Sequence, residues 1–175
     1  MSHSKSQQSL LISFVQEIGL TVSFENIAHQ TFLPGLCIRN GALIIDSEKL
    51  LYPGDILHEA GHLAVMPPDI RYAMNDDLPN TNMHQGGELM AIAWSYAACI
   101  HLQLDPHIVF HQDGYKGGGS DLVKNFKEGK HTGLPLLQWN GMAYDAKRAK
   151  ELNAKPYPEM ISWLCCKNNY TETAV

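Results

Sequence analysis

The chain has 175 residues, 45% hydrophobic and 18% charged, with a formal net charge of −5 and an isoelectric point near 5.9. That is enough sequence for one domain with a sizeable core, and the acidic balance offers no global field for nucleic acid or an anionic membrane. With a polar start and no apolar run long enough to span a bilayer, a cytoplasmic protein is expected, with neither nucleic-acid nor membrane partners.

Residues Gln7 to Gly19 predict an amphipathic helix, with Leu10, Leu11, Phe14, Val15 and Ile18 on one side and Gly19 as the stop. Leu20 to Glu25 alternates as a short strand does. Leu36 to Ile45 predicts a hairpin around Asn40-Gly41, the favoured two-residue turn between β-rich runs. Its second strand, Ala42 to Ile45, could offer an edge to an extended peptide.

Residues Asp55 to Val65 then carry the pattern H-E-x-x-H, with His58 and His62 four positions apart and Glu59 between them. Four positions is just over one helical turn, so both imidazoles leave one face and can hold one Zn²⁺. Glu59 sits about 100° round the helix, beside the metal, where it can take a proton from a zinc-bound water. The flanks agree with a helix. Pro53 suits a first helical position and Asp55 puts negative charge in the first turn. Ile56, Leu57, Ala60, Leu63 and Ala64 form an apolar stripe, and Met66-Pro67-Pro68 stops the run. Gly61 would let a second element approach closely.

Asp69 to Gly87 shows no period and is expected to be a loop. Glu88 to Leu104 has no Asp, Glu, Lys or Arg after Glu88 and predicts a buried helix. His111 to Ser120 is glycine-rich but lacks the phosphate-loop pattern. Asp121 to Glu128 and Tyr144 to Leu152 look helical, Leu134 to Trp139 is apolar, and a turn at Pro156 and Pro158 precedes an apolar segment from Met160 to Cys165. No repeat or linker divides the chain, so residues 1–175 are expected to form one unit. Cys37, Cys99, Cys165 and Cys166 show no C-x-x-C spacing, and free thiols are expected, with Cys99 in the core.

A catalytic zinc usually takes three protein ligands and keeps a place for water. After His62 the candidates are Asp76, Asp77, His84, Glu88, His101, His107 and His111. The extended motif with a third histidine needs glycine and histidine where this chain has Val65 and Pro68. Glu88 is preferred. It heads the buried helix, and Gly86, Gly87 and Ala91 would allow close approach opposite Gly61. A carboxylate beside an apolar helix is costly unless paired or metal-bound. The alternatives are that Glu88 only complements a helix N-terminus, or that His84 is the ligand.

A strand, H-E-x-x-H on a helix, a loop and a helix bearing glutamate together resemble the gluzincin clan of zinc metallopeptidases. The compact size and the N-terminal helix and hairpin are similar to its small members, the minigluzincins and the ImmA/IrrE-type metallopeptidases. The resemblance covers roughly residues 36–104, and His58, Glu59, His62 and Glu88 carry it. It implies a small α+β zincin-like domain: an N-terminal helix and short antiparallel sheet packed on the histidine helix and a buried glutamate helix. It also implies a Zn²⁺ cofactor and a peptide or protein substrate, although some relatives of this kind are latent or regulatory. In the implied chemistry, Glu59 is the general base and zinc stabilises the oxyanion. Tyr115 is the chosen second oxyanion donor, with His111, His131 and Tyr144 as competitors. Two other functions fit the same residues. One is a regulatory protein with a closed four-ligand structural zinc, including His84; the other is a zinc hydrolase of a small non-peptide amide.

Overall fold

Seven α-helices and a three-stranded sheet make up the regular structure of the computed structural model, which describes residues 2–76 and 82–167 and the side chains of all these except 2–5 and 82–85. The class is α+β, as the resemblance implies. Helix α1 (Ser2–Glu17) buries Leu11, Phe14 and Val15, and Gly19 closes it with a left-handed φ of 98°.

The sheet consists of β1 (Thr21–Phe24), β2 (Leu36–Arg39) and β3 (Ala42–Ile45), in the order β1-β3-β2. The β2–β3 hairpin forms as expected. Asn40 and Gly41 take φ values of 48° and 71°, the two consecutive left-handed residues that such a turn requires. Two expectations are corrected here. The sheet is mixed, because the long connection after β1 lets that strand run parallel to β3, with Thr21 opposite Ala42. And β3 offers no edge to a peptide, since β1 and β2 flank it on both sides; the edges belong to β1 and β2.

Helix α2 (Asp55–Val65) carries the histidine motif and buries Ile56, Leu57, Ala60, Leu63 and Ala64. It ends where Met66 turns extended with ψ of 145°. Asp69 to Gly87 is not one loop. Pro68 opens the short helix α3 (Pro68–Arg71), since proline fits a first helical turn, and helix α4 (Asn82–His101) starts six residues before Glu88. Of the two glycines inside α4, Gly87 sits where the helix packs closely: a Cβ there would stand 2.6 Å from Met66 Cε. Asp77 lies outside the described residues.

Helices α2 and α4 cross with almost nothing between them. A Cβ on Gly61 would meet the Ala91 carbonyl at 3.1 Å and the Ala91 Cβ at 3.3 Å. Buried Ser95 reinforces the crossing, its Oγ 2.7 Å from the Ala91 carbonyl and 3.2 Å from the Leu57 carbonyl. The remaining chain wraps this pair with α5 (Gly119–Lys127), α6 (Leu134–Trp139) and α7 (Ala146–Glu151). Met160 to Cys165 is not regular, but the Trp163 carbonyl accepts from Trp94 Nε1 at 2.9 Å and the Cys165 N–H donates to the Ala64 carbonyl at 2.8 Å. All four cysteines are free, and Cys99 is fully buried.

Buried Arg71 terminates the histidine helix. Its guanidinium donates to the carbonyls of Leu63 at 2.8 Å, Met66 at 2.9 Å and Cys165 at 2.8 Å, satisfying groups that a helix end leaves open. Arg71→Met keeps the length of the stem but strands those acceptors. It should destabilise the protein by about 2–4 kcal/mol, read as a lowered urea midpoint at unchanged slope.

Candidate metal centre

Helix α2 delivers two imidazoles and α4 delivers one carboxylate to the same point. His58 Nε2 and His62 Nε2 stand 3.1 Å apart, and Glu88 Oε2 lies 3.2 Å from His62 Nε2 and 3.7 Å from His58 Nε2. These atoms suit a metal. Bonds of about 2.0–2.1 Å at tetrahedral angles would place donor atoms about 3.3–3.4 Å apart, and two imidazole nitrogens with one carboxylate oxygen are a normal donor set for a borderline-soft divalent ion. Among the described residues, His58, His62 and Glu88 are the one such group that could hold a metal ion. The close crossing at Gly61 and Ala91 makes this possible, because it brings the first turns of α4 within reach of the histidine face.

Side-chain exposure rises from 12% at His58 through 22% at His62 to 44% at Glu88, so the group opens on the glutamate side. There it meets a cavity of about 910 Å³ whose lining includes Glu59, His62 and Glu88. The β2 residues Leu36 and Ile38, with Leu33, Met66 and Met74, give that cavity its apolar wall. The wall is held in place from the residue after β3: Asp46 Oδ2 accepts from the Ile27 N–H at 3.0 Å, anchoring the connection that runs on to His29 and Leu33. That backbone hydrogen bond is the main reason the Asp46 carboxyl sits below its ordinary pKa.

The charge states follow from burial and neighbours. Burial pushes His58 down to about 4, with the His62 charge acting the same way and Glu88 opposing. Burial also disfavours a charged His62, but the Glu88 hydrogen bond and the Glu59 and Glu88 charges outweigh it, and the pKa of His62 is raised. Glu88 is the mirror case: burial raises it, while the His62 hydrogen bond and the two histidine charges win and lower it. Glu59 is compensated less, and for it burial wins. Burial pushes its carboxyl up to about 7 against the opposing pull of His62, and the charges of Asp76, Glu88 and Asp55 act in the same direction as burial. A carboxyl poised near neutrality in a cleft is what a general base needs.

Tyr115, expected as an oxyanion donor, does reach the site, but from behind. Its hydroxyl lies 3.0 Å from His58 Nδ1, on the opposite side of the ring from the nitrogen that faces Glu88, and the two rings meet edge to face at 87°. The loop strains to put it there: Tyr115 and Lys116 both adopt left-handed φ, 53° and 55°. Two pairings pin that loop, and sequence reasoning missed both. His111 Nε2 lies 3.1 Å from Asp55 Oδ1 and the ring stacks on Tyr52 at 3.9 Å, while the Tyr52 hydroxyl donates to Asp113 at 2.5 Å. By sequence Asp55 is only a favourable first-turn charge, because nothing in the spacing announces its partner.

The other candidates lie elsewhere. His101 sits in an aromatic cluster with Phe14 and Trp163, His107 pairs with Asp105, and His131 packs on Phe126 and Tyr157. Tyr144 offers its carbonyl to Tyr157 N–H. Asp76 lines the cavity and binds β2, and the side chain of His84 lies outside those described. No helix among the described residues is long and apolar enough to cross a membrane. The sequence matches no family model, and neither the curated proteins nor the solved structures contain a match to it.

Purified protein offered zinc should bind about one ion per chain, and Glu88→Ala should lose that affinity, as elemental analysis of dialysed samples would show. Tyr115→Phe should keep the stoichiometry but weaken the affinity by roughly tenfold, since a ligand histidine then loses its outer partner. The metal-free protein should also show the burden of Glu59. Its carboxyl is held near 7 against an ordinary 4.5, so stability is present below about 4.5 and is lost as pH rises through 7. Glu59→Gln should therefore raise the metal-free urea midpoint at pH 8, with the gain shrinking towards pH 4.

Proposed function

We propose that the protein is a zinc-dependent hydrolase of the metallopeptidase type, cleaving an amide bond with water. One observation carries this reading: three ligand atoms from an H-E-x-x-H helix and the following glutamate helix converge at near-tetrahedral spacings, with the Glu59 carboxylate in the same cavity. This is the arrangement that the gluzincin resemblance implies. His58, His62 and Glu88 would hold the ion. When bound, it supplies Lewis-acid polarisation of a water and of the substrate carbonyl.

The chain's own residues do the rest. Glu59 takes a proton from the attacking water as the oxygen bonds to the carbonyl carbon. It gives that proton to the amide nitrogen as the carbon–nitrogen bond breaks, so one carboxylate serves as base and then acid. Tyr115 accepts the Nδ1 proton of His58, which fixes the tautomer and leaves Nε2 free as a donor atom. We assign Tyr115 to that positioning role and not to the oxyanion. The three ligands His58, His62 and Glu88 are the number that a catalytic zinc site takes, which supports the hydrolytic reading.

Glu59→Gln tests the reading directly. The variant should bind as much zinc as wild type yet hydrolyse a peptide-library substrate about 10²–10⁴-fold more slowly, the usual cost of losing a general base. Survival of the wild-type rate would overturn the assignment.

A further inference from the structure

The cavity-side edge of the sheet is already taken by the chain itself. In an antiparallel hairpin closed at Asn40-Gly41, Cys37 faces β3 with its backbone groups, while Leu36 and Ile38 point theirs outward. Each outward N–H is used within the chain. Leu36 N–H donates to the Leu33 carbonyl at 3.1 Å, Ile38 N–H to Asp76 Oδ1 at 2.6 Å, and Asn40 N–H to Asn75 Oδ1 at 2.9 Å. The Ile38 carbonyl accepts from the Asp76 N–H at 3.1 Å, and the Gly41 N–H donates to the Met74 carbonyl at 2.9 Å. Residues Met74 to Asp76 thus lie along β2 as a short stand-in for a fourth strand. They also line the cavity beside Glu59 and His62.

Strand addition draws its affinity from main-chain hydrogen bonds along a free edge. On β2 an extended peptide would find no free N–H donor at Leu36, Ile38 or Asn40, and would have to displace a carboxylate–amide bond to gain one. What remains for recognition is the cavity, whose wall is formed by Leu33, Leu36, Ile38, Met66 and Met74. Such a wall reads one apolar group by burial and not a backbone by register.

We propose that Asp76 is a specificity-determining residue: by closing the β2 edge it restricts the site to short amides bearing a single apolar group, and excludes extended polypeptide strands. This rests on the metal-dependent reading above and narrows its substrate. The shared chemistry is a small amide with one aliphatic side group, whether a short peptide or a non-peptide acyl amide.

Calorimetry on the zinc-loaded protein tests it with three hydroxamates: a methyl one, an isobutyl one, and the same isobutyl one extended by a four-residue strand. In wild type the isobutyl group should tighten binding by roughly tenfold or more, and the strand should add nothing. In Asp76→Ala the strand should add roughly tenfold, the worth of one or two freed hydrogen bonds. Asp76→Asn, which can still accept from Ile38, should behave as wild type. Asn75→Ala loosens the same segment and serves if Asp76→Ala does not fold. A strand extension that gains tenfold in wild type overturns the proposal, as does an isobutyl group that gains nothing. Comparing dipeptide with acyl-amide substrates then separates the two sources. The metal reading fails separately, if no zinc or hydroxamate binds at all. The closed edge is still decided in that case by amide exchange, with Ile38 protected in wild type and exposed in Asp76→Ala; an unprotected Ile38 in wild type refutes it.

Discussion

The crossing of α2 over α4 at Gly61 and Ala91 is the contact on which the site depends. A methyl group added at Gly61 would press on the Ala91 backbone at 3.1–3.2 Å, and α4 would have to withdraw. Glu88 lies about one turn before Ala91 on the same helix, so a shift of α4 moves the carboxylate with it. The ligand distances of 3.2 and 3.7 Å leave little room for that. Around this crossing the other elements act as supports: Ser95 bridges the two helices, and the 111–118 loop braces His58 from the far side.

Two kinds of polar burial meet at the site, and they differ in how they are settled. His62 and Glu88 answer each other, and each shifts the other towards its charged form. Glu59 is set among acidic neighbours and burial with only His62 in its favour. Selection for stability alone would not keep a carboxyl in that position. The strained backbone at Tyr115 and Lys116 belongs with it, since both features make sense through what they present to the cleft or to His58.

Much of this was legible from residue spacing. The four-residue step from His58 to His62, the apolar stripe beneath it and the Asn40-Gly41 turn each specify local geometry directly, because helix and hairpin periods are local properties. Glu88 was inferable from the cost of a carboxylate on an otherwise uncharged helix. What spacing does not encode is pairing between distant segments. Asp76 against Ile38, His111 against Asp55 and Arg71 against Cys165 join residues 38, 56 and 94 positions apart. The parallel placement of β1 beside β3 is of the same kind. The early start of α4 was hidden because Gly86 and Gly87 are poor helix formers alone, and only tertiary packing reverses that.

Arg71 gives the molecule an order of assembly. The helix that bears both histidines is terminated by a guanidinium shared with the carbonyl of Cys165, while Cys165 in turn donates to Ala64 at the end of that helix. During vectorial synthesis, α2, α4 and both sides of the ligand group emerge long before residue 165 does. Until then, the far end of the histidine helix lacks the Cys165 N–H that its Ala64 carbonyl accepts, and Arg71 lacks one of its acceptors, so the helix is not yet fully fastened. Closure of the chain on itself and rigidity at the centre therefore arrive together, late, in a single long-range contact whose loop entropy must be met before the site becomes stiff.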